Sequence, residues 1–198
     1  MRQRFCLLRL VLLLLLSAVP AAVSQAQTGD HSPQFRSMQK KIAYLRANAA
    51  KPNPDPKPVE LTEPEVNAYF NEGGVKLPKG VSHVRLASTP GLIEGHAQVD
   101  FEALTQGKSS SNPLFKLFSG THDIAVTAQA SGTNGTGSIR EQSVSLDGIA
   151  MPQMLLQLFV QHYLTPKYPN VGITSTFKLP LRIESAVVES GRVSLVQK

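Results

Sequence analysis

The chain has 198 residues, a formal charge of +6, one cysteine and no tryptophan. A lone cysteine excludes a disulfide framework, so stability must come from core packing, and a single domain of this size buries about 70% of its unfolded-chain surface. Three of the positive charges, Arg2, Arg4 and Arg9, stand at the extreme N-terminus, and what remains without them is too little to point to nucleic acid.

Those arginines precede the apolar run Leu10 to Leu16, and small residues follow toward Ser24-Gln25-Ala26. A basic start, a short apolar stretch and a small-residue end read as a secretory signal peptide cleaved near Ala26. The run is too short for a comfortable membrane span. Cys6 sits early in this leader, away from its cleavage end, so neither a disulfide nor a lipid anchor on cysteine is expected in residues 27–198. The localisation read from this is secreted or periplasmic, and a disulfide-free chain of this length suits a bacterial envelope better than a small stapled extracellular scaffold.

Ser32-Pro33 opens a segment with Phe35, Met38, Ile42 and Leu45 at helical spacing, flanked by Arg36, Lys40, Lys41 and Arg46. This predicts an amphipathic helix whose basic side is solvated or touches anionic lipid headgroups. In the following KPNPDPKP, residues 51–58, every second residue is proline, which removes backbone donors and predicts an extended tether. A boundary is expected there.

In LTEPEVNAYFNEGG, Thr62 is placed to cap a helix with Glu65 as its capping-box partner, Pro64 suits the first turn, and Gly73 or Gly74 would end it. Val66, Tyr69 and Phe70 form its buried side. VSHVRLAS and LIEGHAQVDFEAL then read as strands joined at Pro90-Gly91, the second with Ile93, Ala97, Val99 and Phe101 on one face and Glu94, His96, Gln98, Asp100 and Glu102 on the other. In SSSNPLFKLFSG, Leu114, Phe115, Leu117 and Phe118 surround Lys116. They form either an insertion that contacts a membrane or lids a groove, or the core side of a short helix.

DIAVTAQA alternates with Ile124, Val126, Ala128 and Ala130 inward, and Asn134-Gly135 supplies a tight reversal into SIREQSVSL. The inward phase shifts between Ile139 and the pair Val144 and Leu146, which predicts a bulge near Glu141 and Gln142. GIAMPQMLLQLFVQHYL then predicts a helix from Met151 with Gln153, Gln157 and Gln161 in one polar stripe. Its apolar side chains spread over roughly 240° of circumference, wider than one sheet contact requires. Leu155, Leu156, Phe159 and Tyr163 are therefore the candidate ligand-lining residues, the alternative being that they fill a closed core. Three further strands, with Ser190-Gly191 as the last turn, end the chain in sheet.

The stretches LTEPEVNAYF, VSLDGIAMPQMLLQLF and LPLRIESAVVESGRVSL carry a resemblance. As a succession of features over most of residues 60–198, the chain resembles bacterial secreted or membrane-tethered relatives of the tubular lipid-binding, BPI-like superfamily. The resemblance implies a highly curved sheet wrapped around a long helix, enclosing an apolar channel for acyl chains. This chain is shorter than the larger members and its helix is short, which leaves a groove or a packed core as the alternatives to a full channel.

The expected fold class is therefore α+β: a curved antiparallel sheet packed on one or two helices, preceded by a signal peptide and an N-terminal helical arm. The expected division is 1–26 signal peptide, 27–58 helical arm and Pro-rich linker, and 59–198 a single α+β domain. No His-Glu-x-x-His, nucleophile elbow, paired cysteines or phosphate loop is present in the sequence, and His96 with Asp100, or His122 beside Asp123, lack a third ligand at metal spacing. The functional expectation is a non-enzymatic binding protein for a lipid or other apolar small molecule, with peripheral membrane contact, without nucleic acid, cofactor or metal. Its rival is an envelope structural or protein-interaction module with a closed core.

Overall fold

The computed structural model describes residues 31–105, 119–159, 161 and 174–198. The proposed leader, the segment holding Leu114, Phe115, Leu117 and Phe118, and Tyr163 lie outside the described residues, as does the side chain of Phe159. Within them the fold is α+β, an open antiparallel sheet carrying helices.

Helix α1 spans Pro33–Ala49. Ser32 Oγ accepts from the Phe35 amide at 3.1 Å, Pro33 occupies the first turn, and Phe35, Met38, Ile42 and Leu45 are buried, as the spacing predicts. Each such apolar side chain contributes about 1.5–3 kcal/mol by leaving water. Strand β1, Val59–Thr62, leads into helix α2, Glu63–Asn71. Glu65 Oε2 there accepts from both the Thr62 amide (2.8 Å) and its hydroxyl (2.9 Å). Val66 and Phe70 turn into the core and Tyr69 packs against it.

Strands β2 (Val81–Thr89) and β3 (Leu92–Asp100) form the expected hairpin. The sequence pattern carries β3 on to Leu104, whereas the chain enters a short helix, α3, at Phe101–Thr105. The cause is local: Asp100 Oδ1 accepts from the Ala103 amide at 3.0 Å and turns the backbone into a helical conformation.

The spine of the sheet is the long hairpin of β4 (Thr121–Thr133) and β5 (Thr136–Leu146). Asn134 and Gly135 both hold φ near +50 to +70°, the backbone that a two-residue reversal of this hand demands. The register jumps from Thr127↔Ser143 to Ala128↔Glu141, so Gln142 is the extra residue of a bulge, where the phase shift places it.

One edge of β4 takes two partners in succession. β3 covers it from Thr121 to Gln129, and beyond that Gly132 pairs with Ala186 of β8, Ile183–Glu189. The sheet continues from β8 to β9 (Arg192–Gln197) and then to β1. On the far side, β5 pairs with β6 (Ile149–Ala150) and β7 (Thr174–Lys178). Helix α4, Gln153–Phe159, follows β6. The strand junction is tight: a Cβ on Gly132 would lie 2.8 Å from the Ala186 Cβ.

Helix α2 also closes the free edge of β2. Asn67 Nδ2 donates to Leu86 O (2.9 Å), Leu86 N donates to Asn67 Oδ1 (2.7 Å), and Asn71 Nδ2 donates to Val84 O (2.6 Å). Glu63 takes the Ser88 amide in the same row. Residues 63, 67 and 71 stand one turn apart, so a single helical stripe supplies the partners a missing strand would give.

Candidate apolar binding site

Helices α1 and α2 pack on the sheet near β1, β2 and β9, and the core unites Met38, Ile42 and Leu45 of α1 with Ile139, Ile183 and Leu195 of the sheet. Where β3 gives way to β8 along β4, the inward positions are small. Ala130 and Ala186 present single methyl groups there, and a cavity of about 100 Å³ opens between them and α1. Met38, Ile42 and Leu45 form its roof, Ile139, Ile183 and Leu195 much of its wall.

Polar groups touch this cavity at Glu63, Ser88, Ser131, Ser138 and Arg192. The charged ones are engaged elsewhere. Glu63 Oε1 accepts from the Ser88 amide and hydroxyl, and Arg192 Nε donates to Glu189 Oε2 at 2.7 Å while its Nη1 stands 3.9 Å from Glu60 Oε2. The lining is otherwise aliphatic, so an occupant would be held by shape and exclusion from water rather than by directed hydrogen bonds.

Three polar ties fix α1 over the cavity. At its start, Glu72 accepts from the Ser32 amide (2.8 Å) and hydroxyl (2.6 Å), contacts that hold its carboxyl below the usual carboxylate range despite some opposing desolvation. In the middle, Glu65 meets Lys41 Nζ at 2.7 Å and the Ser37 hydroxyl. Burial alone would raise the Glu65 carboxyl, but the donors on Lys41, Ser37 and Thr62 outweigh it and bring its pKa down to about 2. At the end of the helix, buried Asn48 donates to Gln197 Oε1 (2.9 Å) and Asp55 O (2.8 Å) and accepts from Asp55 N (2.9 Å). Gln197 in turn donates to Leu45 O and Leu181 O. The proline-rich stretch is thereby pinned at Asp55.

Of the candidate lining residues read from the sequence, only Leu155 and Leu156 have described side chains, and these stand apart from the cavity. Leu156 is buried and Leu155 half-buried on α4. Met154 and Ile149 beside them are 68% and 75% exposed. Met38, Ile42 and Leu45 showed their apolar spacing in the sequence, but nothing there distinguished Ala130 and Ala186 from ordinary strand residues.

The histidines form pairs other than those their sequence neighbours suggested. His122 Nδ1 lies 2.7 Å from Asp147 Oδ2, not against Asp123, and its Nε2 lies 2.7 Å from Ser119 O. The Asp147 carboxylate raises the imidazole's pKa, burial opposing it. Both partners are acceptors, so the two contacts together favour the imidazolium, in which both ring nitrogens donate. His96 pairs with Glu94 at 2.8 Å rather than with Asp100. Among the described residues no three His, Cys, Asp or Glu side chains converge on a metal-sized site, and no helix is long and apolar enough to cross a membrane. No protein-family model matches the chain, and comparison with curated proteins and with solved structures finds no similar one.

Proposed function

We propose that this chain is a secreted or periplasmic binding protein for an apolar ligand, a lipid acyl chain above all, and that the ligand enters between α1 and the sheet. The observation that carries the reading is the aliphatic cavity beneath Met38, Ile42 and Leu45.

Its size sets the terms. An apolar cavity of about 150 Å³ takes one benzene ring, so a void of this size takes about four carbons. At about 0.8 kcal/mol per buried methylene, four carbons contribute about 3 kcal/mol, which the ordering costs of binding consume. A stable complex therefore needs more of the chain buried than the void holds. The remaining methylenes would run along the seam between α1 and the sheet, with Met38, the most adaptable side chain in the roof, giving way to them. The rival, an interaction module with a closed core, draws support from the depth at which Met38 (0% exposed) and Leu45 (2%) already sit.

Purification without detergent, organic extraction and mass spectrometry separate the two. A stoichiometric apolar compound from wild-type protein supports the binding reading. Repeated empty preparations from its native envelope favour the closed module.

A further inference from the structure

Helix α1 has a second face. Between residues 31 and 54 the sequence contains Arg36, Lys40, Lys41, Arg46 and Lys51 and no acidic residue. Lys41 is spent on Glu65 and the Glu60 carbonyl. Lys40, Arg46 and Lys51 are exposed, in a strip shared with Ala43, Tyr44, Ala47 and Ala50, and exposed Arg36 at its start donates to the His31 carbonyl. Lys40 and Arg46 have no ionic partner among the described residues. The acids that approach α1 are engaged: Glu65 by Lys41, Glu72 by Ser32, and Asp55 by the Tyr44 hydroxyl (3.3 Å) and the Lys57 amide (3.0 Å).

We propose that this outward strip of α1 is a docking surface for an anionic lipid bilayer. From Arg36 to Ala49, where α1 ends, the helix spans roughly 20 Å at the helical rise, long enough to lie along a headgroup plane, and Lys51 follows just beyond it. Basic side chains at both ends reach phosphates, while the small alanines let the helix approach closely and Tyr44 offers a ring suited to the interface. A sequence-specific nucleic-acid reader would instead need base-reading side chains at the centre of the strip, where Ala43, Tyr44 and Ala47 stand. The inward face of the same helix roofs the cavity, so docking sets the proposed ligand entrance about one helix diameter from the lipids. The inference goes beyond the ligand reading and does not require it.

The test is flotation with vesicles of phosphatidylcholine alone or with about one third phosphatidylglycerol, comparing wild type with the double variant Lys40→Gln/Arg46→Gln, both carrying the same N-terminus so that the leucine run contributes equally. A basic residue near an anionic surface contributes about 1 kcal/mol, roughly a five-fold change in partitioning, so the pair should weaken binding to anionic vesicles roughly 25-fold. Wild-type binding should fall in 0.5 M salt. Unchanged binding by the double variant, provided its circular dichroism and melting match wild type, overturns the proposal. So does equal wild-type binding to both vesicle types, or a preference for DNA or RNA at equal phosphate. Failure here with a stoichiometric apolar compound still extracted removes the docking surface alone; normal docking with empty extracts removes the ligand reading alone.

Discussion

The side-chain amide of Asn48 donates to the side-chain carbonyl of Gln197 at 2.9 Å, joining the end of the first helix to the last strand across 149 residues of sequence. Both residues are almost wholly buried, at 1% and 2% exposure, so this contact fastens the end of α1 to the sheet away from water. Asn48→Ala strands the buried Gln197 carbonyl, whereas the backbone groups of exposed Asp55 turn to water. The cost should be about 1–3 kcal/mol, that of one unsatisfied buried polar group. Urea denaturation measures it, and a loss under about 1 kcal/mol would mean that α1 is held mainly by its apolar face.

The middle tie is sensitive to acid. Glu65 has a pKa of about 2, against an ordinary value of 4.5. A carboxylate with a depressed folded-state pKa contributes stability that is fully present above its unfolded pKa. That stability is lost as pH falls through the folded one. Wild type should therefore exceed Glu65→Gln by on the order of 2–3 kcal/mol at pH 7, and the difference should close between pH 4.5 and 2. Denaturation at four or five pH values tests this; a constant difference down to pH 2 would refute the assignment.

Gly132 marks the point where β8 takes over from β3 on the edge of β4. An added methyl would stand 2.8 Å from the Ala186 Cβ and 3.0 Å from the Ala186 backbone nitrogen, and the backbone cannot yield as a flexible side chain would. Gly132→Ala should cost about 3 kcal/mol or somewhat more, read as a lowered melting temperature. An unaffected melt would mean that β8 stands further from β4 at this junction.

Ala130→Leu tests the cavity in both its states. Three added carbons occupy about 75 Å³, most of the void, and filling it should stabilise the ligand-free protein by about 1–2 kcal/mol at 24 cal/mol per Å³. The same variant should yield no extracted apolar compound. A variant that is stabilised yet still carries ligand would locate the binding site elsewhere.

Much of the local architecture was legible in the residues. The Ser32 cap, the Thr62–Glu65 box, the Asn134-Gly135 reversal and the Gln142 bulge all follow from short-range chemistry that the sequence displays. The end of β3 escaped because Asp100 fits both the wet side of a strand and the cap of a helix. The cavity escaped for a different reason. Periodicity tells which side of a helix is apolar but not which surface it meets, and a void arises from the meeting of Ala130, Ala186 and α1, which are remote in sequence. The wide apolar arc around Gln153, Gln157 and Gln161 points to Leu155, Leu156, Phe159 and Tyr163, of which only the first two have described side chains, whereas the described cavity lies under α1.

The most direct measurement is a methyl-labelled NMR titration of the protein with a medium-chain alkyl ester. Binding in the cavity should give saturable shifts concentrated on Met38, Ile42, Ile139, Ile183 and Leu195, abolished by Ala130→Leu. Shifts confined to Leu155 and Leu156, or no saturable shift at any methyl, would contradict it.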